Sequence, residues 1–252
     1  MKPSKSLIEK TWVVFVLFIT SCANITEEIY LNADGSGKYM VYTDAIESTR
    51  SMMMGMMSSI YPDASEDSLR QVVEAQIWEQ FPLEVDSIID FSSRVPDSIK
   101  NDPDKRKYLD KMEMFMKGGK QDGYINSGMR FSFSSVDELQ AFNDFLSENQ
   151  GASGDAMKMD LPQMKVQYTF DGSSFARTSK INADVKMTDS TMMVIGSLIE
   201  ESKTILILHL PRKAKKVSKD QLVGKVGKDV TYEFELIKVF MGTQSSDIKV
   251  EF

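Results

Sequence analysis

A two-residue period recurs along this chain and limits its folds more than any other feature. Ile29 and Leu31 alternate with polar neighbours, as do Met129, Phe131 and Phe133 in "MRFSF" and Met164, Val166, Tyr168 and Phe170 in "MKVQYTF". Val230, Tyr232, Phe234 and Leu236 repeat the pattern, and Ile248, Val250 and Phe252 close the chain with it. Successive side chains of a strand point to opposite faces, so each run predicts a half-buried strand. "TILILHL" (Thr204–Leu210) is nearly continuous apolar sequence, as expected of a central strand. "ADGSG" (Ala33–Gly37) tolerates positive φ and predicts the turn of a hairpin between "ITEEIYL" and "KYMVYT". Asp171-Gly172 predicts another turn before "SSFARTSKI".

Between these strands the period lengthens. Ile46, Thr49, Met53, Met56 or Met57, and Ile60 keep helical spacing over 45–61. Asp63 to Glu66 is a candidate capping box for a second helix with Leu69, Val72, Val73, Gln76, Ile77 and Phe81 on one stripe. "LEVDSIIDFSS" predicts a short helical piece. Asp102 as cap, Pro103 at the first helical position and Gly118-Gly119 as stop predict a helix with Tyr108, Met112, Phe115 and Met116 on its apolar face. Ser135 and Glu138 open another, with Val136, Leu139, Phe142 and Leu146 inside. Asn149–Asp160 reads as a loop and 189–201 as a helix. The sum is an α+β fold: a largely antiparallel sheet of about seven or eight strands with inserted helices, in one domain over 22–252 with a helical insertion at about 45–117.

Cys22 is the only cysteine, so no internal disulfide supports this fold. Before it lie Lys2, Lys5 and Lys10, then the uncharged run Thr11–Ile19. Nine residues of helix rise about 14 Å against a hydrocarbon core of roughly 30 Å, which is short for a span. A basic start, a short apolar core and small residues read as a secretory signal over 1–21. "Ile19-Thr20-Ser21-Cys22" resembles the lipobox of bacterial lipoproteins, with isoleucine where leucine is usual. The resemblance implies cleavage before Cys22 and lipid on that cysteine, hence a partner in the membrane and an address in the cell envelope. The outer membrane is expected in preference to the inner. The turn "DGSG", the later "FDGSSFART" and the strand "ILILHLPRKAKKVS" also resemble LppM-like envelope lipoprotein domains. That resemblance brings no catalytic residues.

The net charge is −7, and about −9 without the leader, which weighs against nucleic acid as partner. His209, the only histidine, sits between leucines, where a satisfied strand histidine is the expectation. No nucleophile elbow, zinc ligand set or complete phosphate loop is present: in "GKVGKDVT" Asp229 stands where a magnesium-binding Ser or Thr belongs. The pairs Glu27-Glu28 and Glu200-Glu201 are adjacent in sequence, and nothing places either around a substrate. No catalytic residue, metal site or cofactor is therefore assigned.

"SMMMGMMSS" places Met53 beside Met56 or Met57 on one helix face. Thioethers suit Cu(I), but no histidine or cysteine lies near, and methionine also fills cores and adaptable grooves. Met53, Met56 or Met57, and Ile60 are expected to face inward as packing, and Met53, Met56, Met57 and Ile60 are the candidate lining of an apolar groove. Arg212, Lys213, Lys215 and Lys216 are a candidate contact with anionic headgroups near the anchor. The functional expectation is a non-catalytic envelope lipoprotein with a partner-binding or structural role. The alternatives are a carrier or sensor of an apolar ligand and, last, a carboxylate hydrolase.

Overall fold

The computed structural model describes residues 24–90, 95–149, 164–181 and 202–252. Cys22 with its leader, most of the loop expected from Asn149, and the helix expected over 189–201 lie outside the described residues.

The first hairpin forms as expected. Strands β1 (Ile25–Leu31) and β2 (Gly37–Asp44) pair from Ile25↔Thr43 to Leu31↔Gly37. Its turn is closed by Asn32 N–H donating to Ser36 O at 2.8 Å, and Gly35 takes φ +84°. Helices α1 (Ala45–Ile60) and α2 (Glu66–Gln80) follow. The cap of α2 is Ser65, whose hydroxyl accepts from Ser68 N–H, two residues beyond the expected Asp63.

The block read as helical up to residue 117 is helical only in part. "EVDSII" is strand β3 (Glu84–Ile89). After α3 (Asp97–Lys100) comes α4 (Pro103–Leu109), with Asp102 capping and Pro103 first, as expected. It stops at Leu109, and Met112, Phe115 and Met116 belong to β4 (Met112–Gly119). Strand β4 lies between β3 and β5 (Tyr124–Phe133) and satisfies its backbone on both sides. Gly118 and Gly119 are strand residues, not a helix stop. A Cβ on Gly118 would stand 2.3 Å from Tyr124 O, and one on Gly119 2.4 Å from Leu83 O.

Helix α5 (Val136–Asn149) opens with the expected pair. Glu138 N–H donates to Ser135 Oγ at 3.2 Å, and the Glu138 carboxylate accepts from Ser134 N–H at 2.7 Å. The remaining elements are β6 (Met164–Phe170), β7 (Ser174–Ile181), β8 (Lys203–His209), β9 (Lys216–Val217), β10 (Leu222–Val226), β11 (Asp229–Glu235), α6 (Leu236–Phe240) and β12 (Ile248–Glu251).

The strands form two sheets. Eight run in the order β10-β11-β8-β1-β2-β5-β4-β3, and four in the order β6-β7-β12-β9. Every pair is antiparallel except β1–β8, which runs parallel with Tyr30 beside His209. The fold is thus α+β and largely antiparallel, with twelve strands among the described residues where seven or eight were expected.

One face of the large sheet carries the core. Ile29, Leu31, Phe131, Leu206, Leu208, Val230, Tyr232 and Phe234 meet Val166, Tyr168, Phe175 and Val250 of the small sheet, Phe252 just beyond β12, and Leu139 and Phe142 of α5. Phe131 stacks on Phe142 with centroids 3.8 Å apart. A smaller cluster joins Ala45 and Ile46 of α1 and Val73 and Ile77 of α2 to Met116 and Ile125.

Candidate functional site

The chain enters the fold at the foot of an interior strand. Asn24 O accepts from Thr43 Oγ1 at 2.9 Å, and Asn24 Oδ1 accepts from Lys203 N–H at 3.1 Å. Residue 24 is therefore fixed to both strands that flank β1. The same edge of the sheet carries the root of α1. Asp44 caps that helix, accepting from Ile46 N–H at 3.0 Å and from Ile125 N–H at 3.2 Å. Burial raises the Asp44 carboxyl above its ordinary value, against the pull of these N–H donors.

Helix α1 is fully buried only at that root, at Ala45, Ile46, Ser48 and Thr49. Met53 and, of the two alternatives, Met57 are half-buried and pack against the smaller cluster, together with Met54. Met56 and Ile60 do not. They are 58% and 61% exposed, because α2 covers only the other flank of the helix. A shallow hollow of about 380 Å³ lies at the tip of the helix pair, beside Met54, Gly55, Tyr61 and Leu69.

The basic segment follows β8, which runs away from Asn24. It lies about 20 Å along the strand from the chain entry, at the opposite end of the sheet. There Arg212 donates to Gly172 O at 2.8 Å and sits over the Phe252 ring, and Lys216 pairs with Glu251 at 3.3 Å. Lys213 and Lys215 are exposed. The four cations share one end of the molecule, but that end is not the one beside the entry.

The second face of the large sheet carries a polar cluster. Glu28 accepts from Tyr30 OH and Tyr42 OH, each at 2.5 Å. His209 stacks on Tyr30 with centroids 4.0 Å apart, holds Asp229 through Nδ1 at 2.9 Å, and turns a buried Nε2 to Glu28 Oε2 at 3.4 Å without a hydrogen bond. Two carboxylates thus converge on the imidazole and not on an open space. Burial, reinforced by Glu28, pushes the Tyr30 phenol up to about 12, and Tyr42 moves the same way. At neutral pH both hydroxyls are donors. The Thr26 hydroxyl also bonds to Tyr42 and opposes this rise.

The residue before Glu28 does something different. Glu27 points into the core, where Arg177 Nη2 donates to it at 3.2 Å and Tyr168 OH at 2.9 Å. Arg177 also donates to Ser246 O at 3.1 Å. All three side chains are buried, so an ion pair joins the two sheets across the core. The period in "ITEEIYL" sets Glu27 on the face of Ile29. Its partner, 150 residues away in sequence, has no local signal.

A cleft of about 580 Å³ lies between β3–β4 and α3–α4. Ile88, Ile89, Leu109 and Met112 line it together with charged residues such as Lys100, Arg106 and Glu113, so its wall is mixed. Among the described residues, no group of three or more His, Cys, Asp or Glu side chains is placed to hold a metal ion. Nor is any helix there long and apolar enough to cross a membrane.

No protein-family model matches the chain, and no curated protein matches its sequence. Among solved structures it is similar to the folded domain of Mycobacterium tuberculosis LppM, determined by NMR. The identity is 12% and the TM-score 0.38, over 92% of this chain and 89% of that one. A similarity of this size fixes neither fold nor function.

Proposed function

We propose that the chain is a lipid-anchored protein of the bacterial cell envelope, held against its membrane and acting by binding a partner, not by catalysis. The position of Asn24 carries this reading. Only Ala23 separates the lipobox cysteine from Asn24, two residue steps away and already bonded into the sheet. Two residues span at most about 7 Å, so a lipid on Cys22 leaves the domain no freedom to range outward. Several acyl chains make such an attachment durable where one would not. The outer membrane is the proposed location.

The polar cluster supports the non-catalytic half. Its carboxylates are engaged by tyrosine hydroxyls and by His209 and do not face an open space. The partner is a protein or an apolar molecule of the envelope.

The test is Cys22→Ser in the producing cell. The variant should accumulate with its leader uncut and without acyl label, and wild-type protein should partition into detergent. A variant that keeps the mature mass, the label and the partitioning would overturn the anchor.

A further inference from the structure

We propose that the exposed flank of α1 lies in the interfacial layer of the bilayer that holds the lipid anchor, an inference that rests on the anchored reading above. The flank is formed by Met52, Met56 and Ile60, spaced i, i+4, i+8, and continued by Tyr61. All four are exposed, Met56 and Ile60 the most. From Ser51 to Pro62 the chain carries no charge. Ser59 Oγ donates to Gly55 O at 3.1 Å, so this hydroxyl is satisfied within the helix. Tyr61 adds an amphipathic ring of the kind that favours the headgroup level.

Position makes lipid the occupant. Thr43, bonded to Asn24, immediately precedes the α1 cap, so the helix starts beside the chain entry. A 16-residue helix is about 24 Å long, so the whole flank stays within roughly that distance of the anchored end. An apolar helix flank tethered there meets bilayer before it meets any diffusing partner. The contact is apolar, not electrostatic. The nearby cations are paired, Arg50 with Glu47 and Glu74, and Arg70 with Glu66. Asp63 and Asp67 are exposed beside the flank. The helix therefore lies along the surface with its acidic turn in the headgroups, and it gains nothing from anionic lipid.

The full chain, purified from membranes and reconstituted in phosphatidylethanolamine–phosphatidylcholine vesicles, tests this. Met56→Cys and Ile60→Cys take an environment-sensitive fluorophore. Val226→Cys, exposed at the far end of the sheet, is the control. Acyl-chain nitroxides should quench the probes at 56 and 60 severalfold more than at 226, equally in low and high salt. Probes at 56 and 60 as open to water as at 226 would overturn the proposal. So would probes shielded from water but not quenched by lipid, which would mean a protein or a second copy on the flank. The mass of the N-terminal peptide is read on the same preparation. Acylated Cys22 with water-exposed probes defeats the helix contact alone. Unacylated Cys22 with quenched probes defeats the anchor alone, and the absence of both defeats both.

Discussion

Glu27 and Glu28 are neighbours with opposite fates, decided by strand alternation. Glu28 serves the hydroxyls of one sheet face, and Glu27 is sealed in the core with Arg177. A buried pair adds little net stability over an apolar one, but losing one partner strands the other charge. Glu27→Ala should therefore cost roughly 3–5 kcal/mol in chemical denaturation, and Glu27→Leu with Arg177→Met should recover most of it. A loss below about 1 kcal/mol in the single variant would show that the pair does not hold the sheets together. The inward position of Glu27 was legible beside Ile29. The stacking of His209 on Tyr30 was not, because it depends on a parallel pairing of strands far apart in sequence.

At the scale of elements, caps and turns were the most legible features. Asp102-Pro103 starts α4, Asp34–Gly37 turns the first hairpin, and Ser135 with Glu138 opens α5. The misreading of β4 has a physical cause. Met112, Phe115 and Met116 fit helical spacing and also fill a strand, and the tie is broken by β3 and β5 on either side. No window of local sequence contains those neighbours.

Glu138 gives α5 a pH signature. Burial raises its carboxyl, but Lys111, the Ser134 hydroxyl and Ser134 N–H outweigh that and bring it to about 2, below its ordinary value of 4.5. A carboxyl lowered in the fold stabilises above its ordinary value and loses that contribution as pH falls through the folded one. Glu138→Gln should cost about 1 kcal/mol at neutral pH, and its denaturation midpoint should converge on wild type near pH 2. A cost unchanged between neutral and acid would refute the role of the charge. For α1, Met53→Leu with Met57→Leu conserves volume at two half-buried positions, so thermal melts should show a loss under about 1.5 kcal/mol. A larger loss would mean that the thioethers do more than pack.

For the whole molecule, the two sheets enclose the core on one side of β1, and the chain enters at the foot of that strand. The sequence showed a resemblance to the lipobox at Ile19–Cys22. The consequence for the domain was not legible there, since it needs Asn24 bonded to Thr43 and Lys203, the latter 179 residues away. The same topology carries the basic segment to the other end of the sheet, so a sequence-level pairing of anchor and cations does not follow from the fold. Neutron reflectometry of the full lipidated chain on a supported bilayer tests the central claim most directly. The account predicts protein density continuous with the headgroup layer, with any intervening water no thicker than about 10 Å. A hydrated gap of several times that width would contradict it.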